Sequence, residues 1–325
     1  MIQIEKLTKA FTQDGKHVVA LDGIGLEIPH GEICVLLGPS GCGKTTTLKI
    51  INRLVTPTSG RVLVDGQDTA EFDVIELRRK IGYVIQQVGL FPHMTVEENI
   101  GVVPRLLGWP LEKRRQRALD LLAMVGLDPG AYAGRYPREL SGGQAQRIGV
   151  ARALAADPPI LLMDEPFGAL DPLSREALQD EFLMMQSRLK KTIIFVSHDI
   201  DEAFKMADRI AIFRQGRIAR QGTPDALLAA AGDPFIESFI GRDRALKRLR
   251  LRRCAEVLEP CNREFPGDLP RLALQDDLRT ALSILVEGNF DALPCFDAEG
   301  SVVGMVRLSE IRVLLDGGAP REART

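Results

Sequence analysis

Gly38-Pro39-Ser40-Gly41-Cys42-Gly43-Lys44-Thr45 is the stretch from which the rest of the chain can be read. It follows Ile33-Cys34-Val35-Leu36-Leu37, a continuous apolar run of the kind that forms a strand buried on both faces. It runs into Lys44 to Leu54, which reads as a helix. A G-x-x-x-x-G-K-[ST] pattern between strand and helix is the setting in which backbone N–H groups and the positive helix end converge on phosphates. Gly38, Pro39, Ser40, Gly41, Cys42, Gly43, Lys44, Thr45 and Thr46 are therefore the candidate nucleotide-binding residues. Lys44 is expected to reach the outer phosphates, and the Thr45 hydroxyl to sit on Mg2+. A glycine-rich turn after a buried strand would explain this loop alone, but not the motifs downstream of it.

Ile160-Leu161-Leu162-Met163 forms another apolar strand, and Asp164-Glu165 closes it. A carboxylate at the end of a buried strand is costly unless a metal or hydrogen-bond donors compensate it. Asp164 is accordingly the expected Mg2+ carboxylate. The four apolar residues before the pair and Pro166 after it argue against a solvent-facing acidic pair. Between loop and strand lies Leu140-Ser141-Gly142-Gly143-Gln144, where Ser141 is a good N-cap for a helix after a flexible turn. A later strand, Thr192-Ile193-Ile194-Phe195-Val196, leads through Ser197 to His198.

Loop, Ser-Gly-Gly-Gln turn and strand-end carboxylates, in this order, resemble the ATP-binding cassette (ABC) ATPases. The resemblance implies an α/β P-loop NTPase core with a helical subdomain. It implies ATP as the nucleotide, with Mg2+, and metal positions at Thr45, Gln86 and Asp164. It makes Glu165 the general base or the group that polarises the attacking water, and His198 the residue that contacts the γ-phosphate. Gln86, six residues before Pro92, takes the place of the metal- and water-sensing glutamine, although Gln87 is adjacent and the spacing leaves both open. Phe11 stands where the family stacks an aromatic on adenine; a core phenylalanine is the other reading. Ser141, Gly142, Gly143 and Gln144 are expected to face ATP held by the opposite subunit, and Gly168-Ala169-Leu170-Asp171 to cross the dimer interface with Asp171 in the family's position. Ala145 departs mildly from the extended motif, where glutamine is frequent. A working site then needs a homodimer or a homologous ATPase partner.

The totals fit that picture. The chain has 325 residues, 45% of them hydrophobic, and a formal charge of −2, which gives no global attraction to nucleic acid. No run of about 20 apolar residues is present, so no membrane span is expected. Met1-Ile2-Gln3-Ile4-Glu5-Lys6 alternates like a strand rather than like a secretory signal. The five cysteines lack a C-x-x-C pair and read as reduced thiols; alkylation of Cys42 is expected to block nucleotide. Strands alternating with helices indicate a mainly parallel sheet, with a helical insert over about 95–155 bounded internally by Pro110 and Pro129.

Residues 1–240 are similar to the importers of osmoprotectants, through Ile50-Ile51-Asn52-Arg53-Leu54-Val55 and Ile75 to Gln87 onward to Ile100. The implied cargo is a quaternary amine such as glycine betaine, carnitine or choline, with another small amine or an amino acid such as proline as the alternative. A soluble ABC ATPase outside transport is the further alternative. Membrane permease subunits and, indirectly, an extracytoplasmic substrate-binding protein are the implied partners, at the cytoplasmic face of the membrane. Leu90, Phe91 and Met94 are candidates for a docking surface, with internal packing as the equal alternative. Residues 241–253 read as a basic linker helix, and 254–325 as a small α+β unit resembling a single CBS motif, with an apolar stripe at Leu278, Ala281, Leu282 and Leu285. Arg307 and Glu310 depart from the residues usual at the CBS nucleotide-contacting end.

Overall fold

Strand β3 (Ile33–Leu37) is buried at every position, as its uninterrupted apolar sequence requires. The computed structural model describes residues 1–13, 16–86, 89–168, 170–229, 233–241, 243–261 and 269–315. The chain packs as two units, Met1–Gly222 and Thr223–Thr325.

In the first unit the chain forms β1 (Ile2–Gln13), β2 (Lys16–Ile28), β3, β4 (Ser59–Val64), β5 (Gln67–Asp68), β6 (Ile81–Val84), β7 (Ile160–Asp164), β8 (Thr192–Ser197), β9 (Arg209–Arg214) and β10 (Arg217–Gly222). The central sheet has the order β10-β9-β3-β8-β7-β6. Its strands are parallel from β9 to β6, and only β10 is antiparallel, paired to β9. Leu37 is level with Ser197, Asp164 with Val196, and Val84 with Met163. Four strands thus deliver their carboxyl ends to one edge, which is where open parallel sheets bind ligands.

A separate antiparallel sheet, β2-β1-β4-β5, was not legible as such. Its first two strands, β1 and β2, form a long, bulged hairpin. The helix after the phosphate loop is Lys44–Ile51, shorter than the expected run to Leu54. It ends because Arg53 takes a left-handed backbone (φ 50) and its guanidinium donates to the Phe72 carbonyl at 2.6 Å.

The helical insert comprises Val96–Ile100, Val102–Leu106, Leu111–Met124, Pro129–Tyr132 and Gly142–Leu154. Pro110 is the N-cap of the third helix and Pro129 opens the fourth, as read from sequence. Gly142–Leu154 packs on β6, where Gly82 leaves no room for a side chain: a Cβ there would run into the Ala153 carbonyl of that helix and lie 2.6 Å from Leu161 Cδ2 on β7.

The second unit contains β11 (Leu272–Ala273), β12 (Ala292–Phe296) and β13 (Val302–Arg307) in that order, β11 parallel and β13 antiparallel to β12. Leu278–Glu287 and Leu308–Leu315 are helical; of the expected stripe Leu278, Ala281 and Leu285 are buried, and Leu282 is half-buried against the same core. The boundary between the units falls at Gly222, earlier than the expected 240. Pro224–Ala229, Pro234–Ile240 and Arg244–Arg250 belong to the second unit.

The run expected to be a linker helix is part of that unit's core. Leu249 is buried with Leu278 and Leu285, and Asp225 accepts from Arg248 at 3.1 Å and from Arg252 at 3.4 Å. Arg252 also pairs with Glu256, and Lys247 with Asp243, so the basic side chains are largely neutralised within the unit. Arg242 lies outside the described residues.

Gly82→Ala is expected to destabilise the first unit by about 2–3 kcal/mol through overpacking against the Ala153 carbonyl and Leu161, seen as a lower denaturation midpoint.

Candidate functional site

The phosphate loop leaves β3 at Gly38 and enters the helix at Gly43, whose backbone is left-handed (φ 108). Glycine is required there twice over. The conformation disfavours a side chain, and a Cβ would lie 2.6 Å from both the Ala20 carbonyl oxygen and Leu21 Cδ2 on β2. That close contact also seats the β1–β2 hairpin against the loop. The first helical N–H groups have no carbonyl one turn earlier, so they face outward as donors. Lys44 is buried, and its Nζ donates to the carbonyls of Gly38 (2.6 Å) and Pro39 (2.9 Å), which holds the ammonium inside the loop. Pro39, Ser40 and Gly41 are exposed, while Thr45 and Thr46 are half-buried.

At the next strand ends the predicted residues converge. The Thr45 hydroxyl donates to Asp164 Oδ1 at 3.0 Å, linking the helix after β3 to the end of β7. Burial pushes the Asp164 carboxyl above the usual carboxylate range, against the Thr45 hydrogen bond; the neighbouring Glu165 charge adds to the rise. Asp164 in turn helps burial hold the Tyr83 phenol up to about 12. A hydroxyl and a carboxylate oxygen side by side are hard donors that suit Mg2+, which commonly uses one or two carboxylates and takes its other oxygens from phosphate and water.

Glu165 stands between Gln86 and His198. Gln86 Nε2 donates to Glu165 Oε2 at 2.9 Å, and His198 Nδ1 lies 3.4 Å from Glu165 Oε1. Gln86 follows β6, Glu165 follows β7 and His198 follows β8, so the trio comes from three adjacent parallel strands. Glu165 has a left-handed backbone (φ 48), an uncommon state for glutamate that aims its carboxylate off the strand end. Gln87 lies outside the described residues, as do Val88 and Ala169.

Ser141 caps Gly142–Leu154 in a reciprocal box: its Oγ accepts from Gln144 N (3.3 Å), and Gln144 Oε1 accepts from Ser141 N (3.0 Å). Gln144 also donates to the Tyr132 hydroxyl at 3.0 Å. The helix-start reading therefore holds, and Ser141 and Gly142 remain exposed. A Cβ on Gly143 would lie 2.8 Å from Leu170 Cδ2, so this turn abuts the Asp171 loop within the same chain. Asp171 is exposed and caps Pro172–Leu189, accepting from Ser174 N at 3.0 Å. Hydrogen bonds from Ser174 hold its carboxyl below the usual range.

Phe11 is 40% exposed on the hairpin, paired with the exposed Val18 and with the Lys9 ammonium 4.8 Å above its ring. The core reading of this phenylalanine is thereby excluded. Phe91 is exposed, and Leu90 and Met94 are half-buried.

Several residues were not found from sequence. Asn99, fully buried, accepts from Phe91 N (2.7 Å) and donates to the carbonyls of Phe91, Met94 and Thr95, which clamps the segment after Gln86. Behind His198, Ser197 donates to Glu202, which accepts from Gln179 at 3.1 Å. Burial keeps the Glu202 carboxyl above its ordinary range, against those two hydrogen bonds. Most of these contacts span only four to eight residues but join loops to helix starts, and only Gln179–Glu202 reaches further along the chain.

Residues 21–168 match the family model described as ABC transporter. The osmoprotectant import ATP-binding protein OsmV of Salmonella typhimurium is 54% identical over 313 residues, covering 96% of this chain and 80% of its own. This chain belongs to the ABC transporter family. The glycine betaine/carnitine/choline transport ATP-binding protein OpuCA of Bacillus subtilis is 49% identical, covering 96% of this chain and 79% of its own. Among solved structures, the dimeric post-hydrolysis ATP-binding cassette MJ0796 bound to ADP and Pi is 37% identical with a TM-score of 0.63, covering 69% of this chain and 99% of its own. Cys42 is buried, its thiol is pushed up by burial against the Lys44 charge, and the Lys44 Nζ approaches its Sγ at 3.7 Å. Iodoacetamide at pH 7.5 is expected to modify Cys42 in the folded protein at least about tenfold more slowly than in the denatured chain, followed by peptide mass spectrometry, because the thiolate is scarce and shielded.

Proposed function

We propose that this chain is the ATP-hydrolysing subunit of an importer for quaternary amine osmoprotectants. The observation that carries the catalytic half of this reading is the carboxylate of Glu165, held between Gln86 and His198 beside the Thr45–Asp164 pair. The similarity to the two import subunits carries the cargo half.

ATP is the substrate. The phosphate loop, its outward N–H groups and Lys44 bind and orient the phosphates, and Phe11 offers its exposed ring to the adenine. Thr45 and Asp164 would hold Mg2+, with Gln86 as a further oxygen donor, and the ion would supply neutralising charge at the outer phosphates. Glu165 accepts a proton from water as the water oxygen attacks the γ-phosphorus. The bond from that phosphorus to the bridging oxygen breaks, and ADP leaves with the electron pair. His198 and Gln86 hold the Glu165 carboxylate in place from either side, and His198 is positioned to touch the γ-phosphate. Ser141, Gly142 and Gly143 approach the ATP held by a second copy, and Asp171 crosses between copies; the dimeric form of the solved relative supports this arrangement.

Closing and opening of that dimer drives permease subunits. An open groove of about 380 Å3 in the first unit, lined by Arg78, Phe91, Val102, Val103 and Arg152, suits a helix of such a partner. Among the described residues no helix is long and apolar enough to cross a membrane, and the subunit attaches to the cytoplasmic face through this contact. The second unit, with its helix, hairpin and helix, acts as a single CBS-like module that pairs with the same module of a second copy. Arg307 there is tied to Glu259 at 2.5 Å, which disfavours nucleotide binding at that end.

Glu165→Gln is expected to retain ATP binding while turnover falls by about 10³-fold or more, and to accumulate an ATP-bound dimer in size-exclusion chromatography. Uptake of labelled glycine betaine, carnitine or choline by vesicles holding the complete transporter should cease in that variant. Normal hydrolysis by Glu165→Gln would overturn the catalytic assignment, and proline uptake without amine uptake would overturn the cargo.

A further inference from the structure

Arg175 occupies the first turn of Pro172–Leu189, the helix that Asp171 caps. Its Nη2 donates to the Leu170 carbonyl at 3.1 Å, and its Nη1 lies 3.3 Å from Asp199 Oδ2. One planar guanidinium thus joins the loop that ends in Asp171 to the residue next to His198. Asp199 divides its carboxylate between two duties. Oδ2 meets Arg175, while Oδ1 accepts from Glu202 N at 3.1 Å and caps Ile200–Met206.

One turn further along, Gln179 donates to Glu202, which also holds Ser197. The helix therefore grips both sides of His198 at two points spaced i, i+4. Arg175 also lines a small cavity with Glu165, Gly168 and His198. Its Nε is buried without a protein partner. An unpaired buried donor is costly, so an arrangement that offers it an acceptor is favoured. The left-handed backbone of Glu165 at the same cavity is a second sign that this corner is held short of its most relaxed state.

We infer that Arg175 is a positioning residue that couples the Asp171 loop to His198, so that displacement of this loop when two copies close sets the histidine beside Glu165. The inference rests on the proposed dimeric ATPase reading. Arg175 touches neither nucleotide nor the reacting atoms. Its effect runs through Asp199, and it falls on turnover rather than on nucleotide affinity.

The test is steady-state ATP hydrolysis by the full chain in its transporter complex, for Arg175→Met, Arg175→Lys, Asp199→Asn and the double variant Arg175→Met/Asp199→Asn. Wild type and Glu165→Gln run alongside. Arg175→Met is expected to lower kcat by about 10- to 100-fold with KM changed less than about twofold, because misplacement of a catalytic group costs that much. Asp199→Asn keeps the capping oxygen and should give the same pattern. The double variant should be no slower than the worse single one, since both remove one link. Arg175→Lys keeps the charge but loses the fork, and should restore part of kcat. The ATP cooperativity of the wild type should weaken in Arg175→Met and in Asp199→Asn.

Wild-type kcat in Arg175→Met, losses that multiply in the double variant, or a rise in KM matching the fall in kcat would each overturn the coupling. Should Arg175→Met prove insoluble, Arg175→Lys and Asp199→Asn carry the same comparison. A wild type that fails to hydrolyse ATP, or a fully active Glu165→Gln, marks failure of the ATPase reading instead.

Discussion

Parallel pairing of β3, β8, β7 and β6 is the constraint from which the site follows. Each strand is apolar enough to be covered on both faces, so its polar and charged residues are displaced to the ends. Parallel direction then brings four such ends to one edge. Gln86, Asp164 with Glu165, His198 and the phosphate loop stand next to one another because their strands do, although they are spread over more than a hundred residues of chain.

Burial at that edge has an electrostatic consequence. Asp164 sits where a carboxylate is poorly solvated, and its carboxyl is raised as a result. The Thr45 hydroxyl compensates part of the cost, and a hard cation bound there would compensate the rest. Glu165 is less enclosed and is bridged by Gln86 and His198, so adjacent acids in one strand-to-loop turn meet different surroundings and suit different tasks.

The elements around this edge act as levers on it. Asn99 fastens the segment after Gln86 to the helical insert. Gly143 lets the Ser141 turn press on Leu170. Arg175 ties the same loop to Asp199. A partner docked on the insert and a partner copy facing Ser141 would therefore each reach the catalytic edge through short chains of packed or hydrogen-bonded groups, which is the physical form that coupling between sites takes.

Local chemistry written in contiguous residues was legible without coordinates. The phosphate loop, the strand-end acids, the Ser141 cap, the proline-bounded helices and the Leu278 stripe all declare themselves because backbone conformation, capping and amphipathic spacing act within a few residues. What the sequence left open depended on partners far along the chain. The exposure of Phe11, the long bulged hairpin in its own sheet, the burial of Leu249 that makes 244–250 part of the second unit, and the Arg175–Asp199 bridge were decided only by folding. No local rule specifies which strand lies beside which, or which arginine meets which aspartate, because those choices are made by the burial of whole faces at once.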